Sequence, residues 1–266
     1  MTVKWKGPNG EVDEDSNENL VKLLFHEKLK SHFSKEELNN VSYLALSGLD
    51  FLRELYSSRK LSSRYHNLGH NYVTTITSIK TFIGALSLGK AVDEKDLISL
   101  IIAALFHDSG YLLNYKAGVK REIRDHNLNS ILFTEIFLAG QRVEDEICDK
   151  VLHLIKYTDY SECDDFKNEI KHDFLGQVLI GADLLQVTDK RYFVNRNFLE
   201  EYLYKNESET DEAMERRFFK FVQELTSNMW NYLDAYYKTA KTNPYRTGWQ
   251  RFVKAFQMIC GEKDLK

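Results

Sequence analysis

Among the residues of types that bind metal ions or move protons, five are grouped by their spacing. His66 and His70 lie four apart, so on a helix they stack on one face. His107 and Asp108 are adjacent and close an apolar run, LISLIIAALFHDSG. Asp183 interrupts a second apolar stretch, FLGQVLIGADLLQVT. Imidazole nitrogens and carboxylate oxygens together form a mixed site for a divalent metal ion. Taken singly, each residue also has a plain structural role: a core histidine, a helix-ending pair, or a capping aspartate. Their conjunction at the polar interruptions of apolar helices favours a metal site, because buried charge is costly unless it is compensated.

The elements that position these residues read as helices throughout. Only two prolines occur, Pro8 and Pro244, so the long middle of the chain holds no residue that forbids helix. Apolar spacing predicts a helix over 20–33. A second follows, capped by Ser34 with Glu36 and Glu37 behind it. Residues 65–88 read as one long helix. Asp93 caps the apolar helix that ends at His107-Asp108, and 109–121 read as a loop. Further helices are expected near 122–139, 144–158, 174–188, 191–205, 211–238 and 247–260. No strand alternation persists, and no linker divides the chain. The expected fold is all-α, a single multi-helix domain over 19–266 behind a polar, acidic tail at 1–18. The aromatic series that includes Trp230, Tyr232, Tyr236 and Tyr237 reads as core.

Charge narrows the function. The formal net charge is −4 and the sequence pI about 6.1, which excludes a general nucleic-acid binder. The three cysteines, Cys148, Cys163 and Cys260, form no CxxC pair, so neither a disulfide framework nor a zinc finger is expected, and a reducing cytoplasm is the simplest compartment. No uninterrupted apolar span is long enough to cross a membrane. The oligomeric state leaves no trace in the sequence.

The order H…HD…D resembles that of the HD superfamily of metal-dependent phosphohydrolases. More specific likenesses follow in one collinear order from about residue 64 to 204. YHNLGH resembles the YHNxxH of class I cyclic nucleotide phosphodiesterases, and LIIAALFHDSGY resembles their alanine-rich helix ending in HDxxH. IRDHNLNS is similar to their E-x-H-H segment, LIKYTDY to their LATD segment, and IGADLLQVTDK to their CADL segment. The resemblance implies an HD/PDEase-like domain that hydrolyses a cyclic nucleotide or related small phosphoester with metal-activated water. It makes His70, His107, Asp108 and Asp183 the ligands of one or two divalent ions (Mg, Mn, Zn or Fe), and His66 the general acid.

The sequence departs from that family at two places. Tyr111 stands where HDxxH has its second histidine, so the second metal would depend on His126 and His153. Arg216 stands where the family holds the base with glutamine, and an arginine suits a phosphate or carboxylate better than a base edge. The expected partner is a small, nucleotide-like phosphorylated substrate. With His126 and His153 as ligands, a dinuclear HD-type oxygenase is the alternative. A non-catalytic HD domain that binds metal or nucleotide is the third reading.

Overall fold

In the computed structural model, residues 14–58, 66–112, 126–158, 169–170, 172–188, 220, 222–224, 226–238 and 243–260 are described. They form an all-α fold, with no strand among them. The helices are α1 (Glu14–Leu24), α2 (Glu27–Lys30), α3 (Lys35–Ser57), α4 (Leu68–Ser87), α5 (Glu94–Phe106), α6 (His126–Gln141), α7 (Asp145–Lys156), α8 (Phe174–Leu184), α9 (Trp230–Tyr236) and α10 (Pro244–Cys260). Short 3-10 turns follow α5 and α8, at Ser109–Leu112 and Leu185–Thr188. The helix expected over 191–205 and the residue Arg216 lie outside the described residues. No helix among the described residues is long and apolar enough to cross a membrane.

α5 is the centre of the molecule. Every residue from Leu97 to Phe106 is buried, and α3, α4, α6, α7 and α8 all pack against it. Asp93 starts it as expected: its carboxylate accepts from the Asp96 N–H at 2.8 Å, and Asp96 reaches back to the Asp93 N–H at 3.1 Å. Such a cap contributes about 0.5–2 kcal/mol. Ser34 and Glu37 form the equivalent box at the start of α3.

α4 is buried almost all round although it is rich in threonine. Its hydroxyls resolve the conflict. Thr75, Thr77 and Thr81 each donate to the carbonyl four residues back, at 2.8–2.9 Å, so these three hydroxyls are satisfied inside the helix. Gly84 lets α9 approach closely, since a Cβ there would lie 1.8 Å from the Tyr232 carbonyl oxygen.

Three local expectations change. α4 begins at Leu68, because the Asn67 side chain accepts from the His70 N–H at 3.0 Å and caps it; His66 therefore precedes the helix. The stretch 20–33 is broken into α1 and α2 at His26, which caps α2 with its Nδ1. α1 starts at Glu14, within the stretch expected as a tail, and Ser16 is buried with its carbonyl accepting from the Tyr72 hydroxyl at 2.9 Å.

Candidate metal centre

α4, α5 and α8 pack against one another, and each brings its polar residues to one point. His70 sits in the first turn of α4, His107 and Asp108 end α5, and Asp183 lies in the last turn of α8. All four side chains are buried, none more than 4% exposed. One donor atom from each lies within 4.8 Å of the others. His70 Nε2 is 3.0 Å from Asp108 Oδ2 and 3.0 Å from Asp183 Oδ1. His107 Nε2 is 3.3 Å from His70 Nε2, 3.3 Å from Asp108 Oδ2 and 3.6 Å from Asp183 Oδ1.

The outer partners of the two imidazoles fix which nitrogen faces the cluster. The Gln186 amide donates through Nε2 to the His70 carbonyl oxygen at 3.1 Å and to Thr74 Oγ1, which leaves its Oε1 to accept from His70 Nδ1–H at 2.9 Å. His107 Nδ1–H donates to the Ala104 carbonyl at 3.0 Å. In the neutral tautomers so defined, both Nε2 atoms present lone pairs to the cluster. Two imidazole lone pairs and two carboxylate oxygens thus converge. Ligands held about 2.1 Å from a common ion lie about 3.0–3.4 Å from their neighbours. Four of these separations, 3.0–3.3 Å, match that spacing, the His107–Asp183 distance of 3.6 Å lies just above it, and the donor set fits a divalent cation.

Electrostatics point the same way. Burial alone pushes His70 and His107 down, but Asp108 and Asp183 outweigh it and hold both imidazoles above their ordinary range, His107 well above. Burial pushes the two carboxyls up, and the facing imidazoles reverse this. His107 and His66 hold Asp108 well below the usual carboxylate range, and His107 and His70 lower Asp183. The two carboxylates stay ionised, and the cluster is negative whenever its imidazoles are neutral. That is the polarity that attracts a cation.

His66 stands beside this group. Its Nδ1–H donates to Asp108 Oδ2 at 2.8 Å, which sets the tautomer with the proton on Nδ1. Its ring meets that of His70 edge-on, with centroids 5.9 Å apart. Burial lowers its pKa, and Asp108 recovers only part of the shift. Tyr111 stacks on the other face of His66, centroids 3.8 Å apart and 17° between planes, and His126 stacks on Tyr111 at 4.4 Å and 21°. Gly110 permits this arrangement. A Cβ there would lie 1.8 Å from the His126 carbonyl oxygen, and its N–H donates to Ser130 Oγ at 2.8 Å.

The structure therefore unites His66, His70, His107, Asp108 and Asp183. His66 and His70 meet through the Asn67 turn and not, as expected, on one helical face. Tyr111 and His126 flank the group as a ring stack, and His126 is not one of the four clustered donors. His153 is a correction. It is exposed on α7, with Nε2 2.7 Å from the Tyr157 hydroxyl. The buried face of α7 is instead Ile147, Val151, Leu154 and Ile155, and His153 is out of phase with it. Two contributors escape a reading of the sequence. Gln186 orients His70 from three residues beyond Asp183, a helical spacing that is its one sequence signal. Asn71 ties α4 to α5 by donating to the Leu105 carbonyl at 2.8 Å. No family model, curated protein or solved structure matches this chain.

Proposed function

We propose that this chain is a metal-dependent phosphohydrolase, hydrolysing a cyclic nucleotide or a related small phosphoester. One observation carries the reading: four buried lone-pair donors converge at ligand spacing, with a histidine bonded to one of them. The likeness of YHNLGH and LIIAALFHDSGY to the phosphodiesterase motifs supports the choice of reaction. His70, His107, Asp108 and Asp183 would hold a divalent ion, which would supply acidification of water and charge neutralisation for phosphoryl oxygens. Gln186 and the Ala104 carbonyl keep the two imidazoles aimed. Asp108 holds His66 in one tautomer, so its Nε2 is the position from which a proton reaches the leaving oxygen. Burial of all four donors excludes bulk water from their inner side.

The dinuclear oxygenase reading needs His126 and His153 as ligands, and His153 is exposed and bonded to Tyr157. The phosphohydrolase reading is tested by elemental analysis of the purified chain, followed by a panel of cyclic nucleotides, phosphodiesters and phosphomonoesters. The expected result is one or two Mg, Mn or Zn ions per chain and turnover of at least one phosphoester. Two irons per chain without phosphoester turnover would move the assignment to the oxygenase. A metal-bound protein inert toward the whole panel would leave the non-catalytic binding domain.

A further inference from the structure

A second polar cluster lies far from the metal centre, where α4 meets α9 and α10. Lys80 is ten residues beyond His70 on α4, about 15 Å along the helix axis. Its Nζ lies 6.0, 5.6 and 5.8 Å from the ring centroids of Tyr236, Tyr237 and Tyr245. It donates one hydrogen bond, to Tyr237 Oη at 3.0 Å. No carboxylate among the described residues pairs with it. The rings help to hold an ammonium there but leave its remaining two N–H groups unused.

The hydroxyls around Lys80 can be assigned in turn. Tyr237 accepts from Lys80, which leaves its own proton to donate elsewhere. The Thr77 hydroxyl gives its proton to the Val73 carbonyl, so the 2.8 Å contact between Thr77 and Tyr245 is donated by Tyr245. Tyr236 Oη has no hydrogen-bond partner among the described residues. The cluster thus offers two N–H groups of Lys80 and the O–H groups of Tyr236 and Tyr237. It has one positive charge and no negative one. Lys80, Tyr236 and Tyr237 are half-buried.

We infer that Lys80, Tyr236 and Tyr237 form a binding site for a small oxyanion of the phosphate type, separate from the metal centre. An ammonium removed from water without a counter-charge is costly, and an anion bound across these donors removes that cost. Charge-assisted bonds from an ammonium and two hydroxyls suit the several acceptor oxygens of such a ligand. Burial pushes the Lys80 ammonium down to about 8, in keeping with a cation that lacks its counter-ion.

The test is thermal unfolding of the full chain in rising inorganic phosphate, with sodium chloride adjusted to constant ionic strength. A rise in Tm of roughly 3–6 °C over the chloride control is expected once phosphate exceeds its Kd about tenfold, growing further with the logarithm of phosphate concentration. Lys80→Met removes the ammonium at nearly constant volume and should abolish that rise. Tyr236→Phe should require about three- to tenfold higher phosphate for the same rise. If Lys80→Met does not fold, Tyr236→Phe carries the same comparison. A phosphate response equal in the wild-type chain and in the variants, or no response beyond the chloride control in the wild-type chain, overturns the proposal.

Discussion

Replacing Asp183 by asparagine removes one of the two anionic donors and leaves the side-chain volume almost unchanged. Asp183 Oδ1 faces both imidazoles, at 3.0 and 3.6 Å, and is buried, so no water can take its place without rearrangement. Loss of an outer partner of a metal ligand costs roughly 10–100-fold in affinity, and loss of a direct donor costs at least the upper figure. An ion present at a hundred times its Kd stabilises the folded chain by about 2.7 kcal/mol. For a chain of this size that corresponds to a rise in Tm of about 5–10 °C. With affinity reduced about a hundredfold, the same ion concentration equals the new Kd, and the gain falls to about 0.4 kcal/mol, or roughly 1 °C. The assay is a thermal-shift titration of chelator-treated protein with Mg, Mn and Zn salts, read as the shift each ion produces. Shifts are compared because Asp183→Asn also changes the metal-free stability by removing a buried charge. Equal shifts in the two proteins, or no shift in the wild-type chain with any ion, would refute the convergence of Asp183 with the other donors on a cation.

Four further outcomes are expected. His66→Gln should retain the metal-dependent thermal shift and lower phosphoester turnover about 10²–10⁴-fold, the usual contribution of a positioned proton donor; metal loss in this variant would place His66 among the ligands. His153→Ala should change stability by less than about 0.5 kcal/mol and leave metal content unaltered, since the residue is exposed. Gly84→Ala should destabilise by several kcal/mol in chemical denaturation, because its Cβ would lie 1.8 Å from backbone that cannot move independently of α9. Lys80, pushed down to about 8 by burial, lowers stability while it is charged, and this penalty fades as the pH rises from about 8 toward its ordinary 10.5. Lys80→Met should therefore be the more stable protein at pH 7, by up to about 3 kcal/mol, with the difference closing by pH 10.

How far the site was legible depended on the kind of constraint each residue obeys. His70, His107, Asp108 and Asp183 stood out because each is a polar residue where an apolar helix has no local use for one. That contrast exists in the sequence itself. The caps at Ser34 and Asp93 were equally visible, as local side-chain to backbone bonds are set by residues three apart. The Asn67 cap was missed because the surrounding residues continue the helical pattern. An asparagine oxygen bonded to the His70 N–H nevertheless starts the helix at Leu68. Gln186 was invisible for a different reason: its partner is 116 residues away, and a single amide carries no pattern. His153 shows the opposite failure. Its residue type suited a second metal, but the phase of α7, set by Ile147, Val151, Leu154 and Ile155, turns it to solvent. The surroundings of Lys80 were hidden too, since Tyr236, Tyr237 and Tyr245 belong to distant helices, and the first two read as core.

The clamp on His66 has a consequence for motion. Its ring is bonded at Nδ1 to Asp108, covered on one face by Tyr111, and met edge-on by His70. Rotation about χ2 would break the hydrogen bond and drive the ring through the plane of Tyr111, which His126 backs from behind. Ring flips that exposed histidines make in picoseconds to nanoseconds are therefore blocked here. A proton can come and go at Nε2 while every heavy atom of the imidazole stays in place. Proton exchange at this position requires no reorientation of the side chain.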